Sequence, residues 1–307
     1  MIITSLTGGL GNQMFQYAAG LALAEHHRTV LKLDVDWFRA DPAYEAHNRY
    51  ALSCFNITEQ FASREEIDRV RGVQLTRTER WSVALARALR LRRYASRHAA
   101  PAHWHQPPTF AFYPQFFAQP DPTYLNGMFQ SEKFFAPVAD LLRVQFSLRY
   151  PPQPEVATLA ERIRQGPSAA LHFRRGDYTR NAAFNSEIGV VGPDYYERAV
   201  RLLRARSPDS TLYIFSDDIE YVAREFVPSG PHVFVRCVAP WHPWDKIRLM
   251  SLCEHIAIAN STFSWWAAWL NPSPEKLVLA PDPWFARSQH DGSDVVPAAW
   301  TKISRQA

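Results

Sequence analysis

The chain has 307 residues, 47% of them hydrophobic, enough for one large domain or two of ordinary size with a full core. Its formal net charge of +4 fits an anionic ligand or surface and is too weak to argue for nucleic acid. Three scattered cysteines (Cys54, Cys237, Cys253) lack metal-ligand spacing, and neither a signal peptide nor an apolar run of membrane-spanning length is present, so a reducing cytoplasmic compartment is expected.

In chain order, Met1–Leu6 reads as a strand and Thr7–Gln13 as a glycine-rich turn. Met14–His26 follows as a helix and Thr29–Val35 as a second strand. This is the usual opening of a doubly wound sheet. The glycines allow close backbone approach, and the helix start attracts an anion, but the spacing is neither the dinucleotide fingerprint nor the P-loop. Asn12 and Gln13 add amides that can hydrogen-bond a sugar. Residues 36–76 carry little pattern beyond a capped helix start at Ser63-Arg64-Glu65-Glu66. Residues 77–98 set seven arginines against one acid, Glu79, with apolar residues near helical spacing. Two readings stay open there: an amphipathic helix lying on an anionic membrane, or a solvated surface helix. Residues 101–124 are rich in proline and aromatics and read as irregular, with His103, Trp104 and His105 as packing or acceptor contacts. Tyr124–Phe129 reads as a short strand and Phe134–Phe146 as a helix. Tyr150-Pro151-Pro152-Gln153-Pro154 reads as a linker, dividing the chain into residues 1–150 and 151–307.

Beyond the linker, predicted helices over 156–164, 193–206, 219–226, 245–253 and 260–269 alternate with strands. The strands fall over 169–173, 212–215, 233–238, 256–259 and 277–280. Such alternation implies a parallel sheet with its strand ends gathered on one side. Three of those ends are polar: His172-Phe173-Arg174-Arg175-Gly176-Asp177, Ser216-Asp217-Asp218 and Asn260-Ser261-Thr262-Phe263-Ser264. Arginine grips phosphate with a bidentate fork. Successive strand side chains point to opposite faces, so only one of Arg174 and Arg175 readily faces a single pocket. Ser261, Thr262 and Ser264 open a helix, where free N–H groups and hydroxyls can hold a diphosphate. Asp217 or Asp218 can accept from a base with adjacent N–H donors, such as guanine. Each motif also has a plain structural reading: an Arg–Asp pair tying down a loop, or N-capping by Asp217, Asp218 and Ser261. Three polar ends on one side of one sheet favour a nucleotide-sugar site.

Four blocks of this sequence resemble the signature blocks of the bacterial α-1,2-fucosyltransferases, glycosyltransferase family 11. They are Ser5–Ala19, His172–Asp177, Phe215–Asp218 and Asn260–Leu270. The resemblance implies an α/β fold of the GT-B kind, two Rossmann-like lobes facing a cleft. Residues 1–150 would be the acceptor-side lobe. Residues 151–307 would bind the GDP-sugar on a parallel doubly wound sheet. It also implies an inverting transfer of L-fucose from GDP-β-L-fucose to the 2-hydroxyl of a β-galactoside, within a cell-surface oligosaccharide or lipid-linked glycan, with no metal required.

Matched position by position, Arg174 and Arg175 fall in the block that grips the β-phosphate. His172 with Asp217 or Asp218 falls where guanine is held. Asn260, Ser261, Thr262 and Ser264 form the phosphate block, and Gly9, Gly11, Asn12 and Gln13 face the cleft. Asp177 is the first candidate for the general base, with Glu187 and Asp34 as further candidates. Asp34-Val35-Asp36 has the spelling of a metal-binding carboxylate pair, but it follows a strand of the acceptor lobe. Residues 36–130 lie mostly outside the blocks and are expected to choose the acceptor. Residues 77–98 are the candidate contact with the inner face of the cytoplasmic membrane. Transfer of another GDP-activated sugar, or a non-catalytic carbohydrate- or nucleotide-binding role, are the alternatives.

Overall fold

Two parallel sheets organise the protein. A computed structural model describes residues 1–40, 49–71, 104–105, 110–176, 179, 182–237, 241–287 and 290–305. The arginine-rich stretch 77–98, His103 and Asp177 lie outside the described residues.

The first sheet contains β1 (Ile2–Ser5), β2 (Leu31–Asp34), β3 (Trp104–His105) and β4 (Thr123–Leu125), in the order β2-β1-β4-β3. Helix α1 (Leu10–His27) joins the first two strands, and a single turn α2 (Trp37–Ala40) and α3 (Arg64–Val70) follow β2. Alternation along β1 splits its apolar residues between two faces. Ile2 packs into the core that holds α1, while Ile3 meets Ile67 and Val70 of α3. Ser63 caps α3 as expected: its hydroxyl accepts from Glu66 N–H, and the Glu66 carboxylate accepts from Ser63 N–H at 2.9 Å. Helix α1 begins at Leu10, inside the stretch read as a turn, and β3 lies where the composition predicts irregular chain.

After α4 (Ala139–Gln145) and α5 (Pro154–Arg164), the second sheet is wound from β5 (Ser168–Phe173), β6 (Thr211–Ser216), β7 (His232–Phe234), β8 (His255–Ala257), β9 (Val278–Asp282) and β10 (Thr301–Ser304). Its helices are α6 (Ala182–Glu187), α7 (Pro193–Arg206), α8 (Ile219–Glu225), α9 (Pro243–Leu252) and α10 (Thr262–Leu270). The central strands read as near-continuous apolar runs because both faces are covered. Ala169, Leu171, Phe173, Leu212 and Ile214 pack with α7 and α8, and Ala170, Tyr213, Phe215 and Ile256 join α5, α9 and α10. The strand order is β10-β9-β8-β5-β6-β7. The chain therefore builds outward from β5 in one direction and then returns to build in the other. The reversal between β5 and β8 is a topological switch point, where open α/β sheets bind ligands beyond the strand ends.

The halves share apolar packing through α1 and α10. Phe15 lies with its ring centroid 4.5 Å from Trp265 and 4.9 Å from Trp266, and Trp266 Nε1–H donates to Gly11 C=O at 3.0 Å. The predicted linker is tied down at its start: the Arg248 guanidinium donates to Tyr150 C=O at 2.6 Å, and Arg149, just before it, donates its N–H to Cys54 C=O at 2.8 Å. Among the described residues, no helix is long and apolar enough to cross a membrane.

Candidate functional site

The three polar motifs end on neighbouring strands. β5 and β6 run in register, His172 beside Phe215 and Phe173 beside Ser216, with β8 on the other side of β5. Asp217, just past β6, ties down the loop after β5. Its Oδ1 accepts from Arg175 N–H at 2.9 Å, and its Oδ2 pairs with the Arg174 guanidinium at 2.9 Å. A Cβ on Gly176 would lie 2.5 Å from that same Oδ2, so the loop needs glycine there. Burial pushes the Asp217 carboxyl up, but the Arg174 charge and the Arg175 N–H outweigh it and hold the carboxyl below its usual range. The adjacent Asp218 is far more open, its side chain 47% exposed and 3.8 Å from Arg175 Nε. It begins α8 without a side-chain cap bond.

The two arginines diverge. The Arg175 guanidinium stacks on Tyr221 of α8, 3.4 Å from the ring centroid. Arg174 stays at the strand end, beside Asp217 and close enough to His172 to act on its charge. His172 is only 5% exposed, with Phe263 of α10 at 6.1 Å between ring centroids. Burial pushes its pKa down to about 3, with Asp217 opposing and Arg174 and Lys246 adding to the shift, so the ring is neutral at pH 7. Its buried Nδ1 has no hydrogen-bond partner among the described residues.

Helix α10 starts just past β8, and no side chain caps its first turn. Ser261 is the N-cap residue, yet its hydroxyl makes no cap bond, and the first turn contains no acid. The Ser264 hydroxyl donates to Ser261 C=O at 3.3 Å, and the Thr262 hydroxyl donates to Asn12 Oδ1 at 3.0 Å. Asn260 faces the chain itself. Its amide donates to Ile188 and Gly189 C=O at 2.9 Å and to Trp284 C=O at 3.3 Å, anchoring the far end of the arginine-bearing loop.

The N-terminal block divides in the same way. Gln13 is fully buried: its amide donates to Gly8 C=O at 2.9 Å and Arg49 C=O at 2.8 Å, and its oxygen accepts from Ala51 N–H at 2.9 Å. Both amide hydrogens are spent, which corrects the expectation that Gln13 offers hydrogen bonds to a sugar; it braces the turn. Gly11 allows two helix starts to meet, since a Cβ there would lie 2.6 Å from the Thr262 backbone. Gly9 has open space around it, and Asn12 Oδ1 also accepts from Gln130 at 3.2 Å. Of the further base candidates, Asp34 is buried and accepts from the Tyr124 hydroxyl at 2.7 Å, while Glu187 is exposed.

Two residues at this rim escape the sequence reading. Tyr221 carries Arg175, and Lys246 in the first turn of α9 donates to Ser216 C=O at 3.1 Å. The signal for Lys246 is positional: Pro243 begins α9 at the strand-end side of the sheet, which puts its first turn beside any ligand there. Together the rim offers cations and free N–H groups for a diphosphate, and a neutral imidazole with an open carboxylate for a base. Among the described residues, no three His, Cys, Asp or Glu side chains gather as a metal-ligand set.

The profile of Glycosyl transferase family 11 matches residues 111–304. An alpha-1,2-colitosyltransferase of Escherichia coli is 28% identical, with 99% of each chain covered. The Escherichia coli O-antigen biosynthesis glycosyltransferase WbnK is also 28% identical, over 92% of this chain and 94% of its own. Among solved structures, the NodZ alpha-1,6-fucosyltransferase co-crystallised with GDP superposes with a TM-score of 0.48 at 13% identity, covering 91% of this chain and 94% of its own.

Proposed function

The chain belongs to glycosyl transferase family 11, and on that premise we propose that it moves L-fucose from GDP-β-L-fucose to the 2-hydroxyl of a galactoside, with inversion. The observation that carries this reading is the switch point between β5 and β8: Arg174 follows β5, paired with Asp217, and α10 follows β8 with no side-chain cap bond from Ser261. The 1,2 linkage is supported by the name of the colitosyltransferase relative. That name also supports a second reading, the same transfer with a different GDP-activated sugar, since phosphate and base contacts do not distinguish sugars.

In this mechanism the acceptor hydroxyl attacks the anomeric carbon in line with the departing GDP. Positive charge develops on the sugar and negative charge on the diphosphate. Arg174 and the N–H groups of α10 stabilise the leaving group, so the reading requires no metal. Asp218 and His172 hold guanine, and Arg175 holds the loop by its stack on Tyr221. Asp177 takes the acceptor proton, a contribution of about 10²–10⁴-fold. Residues 1–150 carry the acceptor side and 151–307 the donor side. The acceptor is a surface glycan in the course of assembly, in keeping with WbnK's O-antigen name, and the work is placed in the cytoplasm, with residues 77–98 against the membrane.

The test is GDP release from GDP-fucose, with and without β-galactoside acceptors. Acceptor-dependent release with fucose on the galactose 2-hydroxyl is expected, and Arg174→Ala should reduce it by about 10²-fold or more. GDP binding without acceptor-stimulated release would overturn the sugar or acceptor assignment. Absence of GDP binding would overturn the site.

A further inference from the structure

We propose that Lys246 reads the base of the donor nucleotide, taking the acceptor edge of guanine while Asp218 takes its donor edge. The proposal rests on the reading of these strand ends as a GDP-sugar site and adds a residue that the motifs do not contain. A diphosphate seated on α10 lies at the β8–β5 boundary. A nucleoside leaving it along the rim passes His172 at the end of β5 and reaches the ends of β6 and β7. Lys246 stands at that second position, its ammonium 3.1 Å from the carbonyl of Ser216, the last residue of β6.

Its electrostatic setting points to a ligand. The side chain is partly buried, and among the described residues no carboxylate lies within ion-pair distance of it. Its neighbour Asp245 is turned inward, accepting from His242 N–H at 3.3 Å and lying 3.6 Å from Arg248. Lys246 is close enough to His172 to help hold that ring neutral, and the His172 Nδ1 is one of the buried polar atoms that have no hydrogen-bond partner among the described residues. An ammonium held to the end of β6 and an open carboxylate two residues past that end therefore share one stretch of rim, with the buried imidazole of His172 close by.

Guanine complements this set. O6 and N7 are adjacent acceptors suited to a lysine, and N1–H and the N2 amino group are adjacent donors suited to a carboxylate. Adenine places an amino group where guanine has O6, so it would meet the ammonium donor to donor. Lys246 would thus reject adenine as well as bind guanine.

The experiment is a titration of the full chain with GDP, ADP and inorganic pyrophosphate, for the native protein, Lys246→Met, Lys246→Gln and Arg174→Lys. Lys246→Met should weaken GDP by about ten- to a hundredfold and leave pyrophosphate unchanged. Arg174→Lys should weaken both. Lys246→Gln keeps a donor for Ser216 and should move the GDP-to-ADP preference toward adenine. Equal losses of GDP and pyrophosphate in Lys246→Met would place the lysine on the phosphates. Unchanged GDP affinity would leave it a structural tie to β6. Either result overturns the assignment while the nucleotide site stands. If the native protein does not bind GDP, the site reading falls with it.

Discussion

Asp217 and Asp218 are adjacent in sequence and do different work. Asp217 accepts from the Arg175 backbone and pairs with Arg174, whereas Asp218 stays nearly half exposed. Asp217→Asn should therefore lower stability by about 1.5–3 kcal/mol, the range for bonds to a charged group. Asp218→Asn should stay within about 0.5 kcal/mol and act on GDP affinity instead. Thermal unfolding and GDP titration of the two variants would show a reversed assignment at once. His172 sets a pH dependence. In the folded chain burial pushes its pKa down to about 3, and the unfolded chain regains the ordinary value of 6.5. Between those values the unfolded chain binds the extra proton, so stability must fall as pH drops below 6.5. The loss reaches about 2 kcal/mol at pH 5, at 1.36 kcal/mol per unit. His172→Asn should lose less on acidification, and parallel losses in both proteins would assign the effect elsewhere. The sequence identified the arginine pair but could not separate its members, because that depends on which helix each one meets. It misread Gln13 because the amide's partners at Arg49 and Ala51 lie 36 and 38 residues away.

Helix α10 is built with a polarity. Its first turn has no side-chain cap and no acid, and its last turn is closed by cations: Arg143 donates to Trp269 C=O at 2.7 Å, and Lys276 to Ala268 C=O at 3.0 Å and Asn271 C=O at 2.6 Å. Those charges neutralise the negative end of the dipole and leave the positive end for an anion. The sequence shows where this helix begins and stops, since Asn271-Pro272 cannot continue it. Its closest neighbour was not legible. Gly11 lowers the intrinsic helix propensity of the segment, so the pattern delays α1 to Met14; packing against α10 overrides propensity and starts it at Leu10. Gly11→Ala should cost roughly 1–3 kcal/mol by overpacking two backbones. A change in melting temperature much smaller than Gly20→Ala, which meets the Thr4 and Leu31 side chains at 2.6 and 2.8 Å, would refute that contact. Strand β10 was missed for a different reason: Thr301-Lys302-Ile303-Ser304 is an edge strand that buries only Ile303.

The whole molecule differs from two bodies on a free linker. One apolar cluster runs from Ile2 and α1 through Trp265 and Trp266 to the second sheet. Residues 147–150 are hydrogen-bonded to both halves. Calorimetry of the full chain should therefore give a single unfolding transition with matching calorimetric and van't Hoff enthalpies. Two resolved transitions would show that the halves unfold separately. The sequence implied a parallel sheet in each half because the alternation of strands and helices is local. It did not reveal the shared core, because no periodicity records that α1 and α10 meet across about 250 residues of chain (Trp266 to Gly11 is a separation of 255).

That seam limits how such a chain can be recombined. Gly11 and Asn12 lie in the N-terminal half, and Thr262 and Trp266 lie in the C-terminal half; together they make one joint. A chimera that borrows residues 1–150 from a relative inherits half of that joint. A side chain at position 11 would press on the start of α10. Compatible grafts keep glycine and asparagine at 11 and 12 together with the aromatic face of Phe15 and Phe135 that meets Trp265 and Trp266.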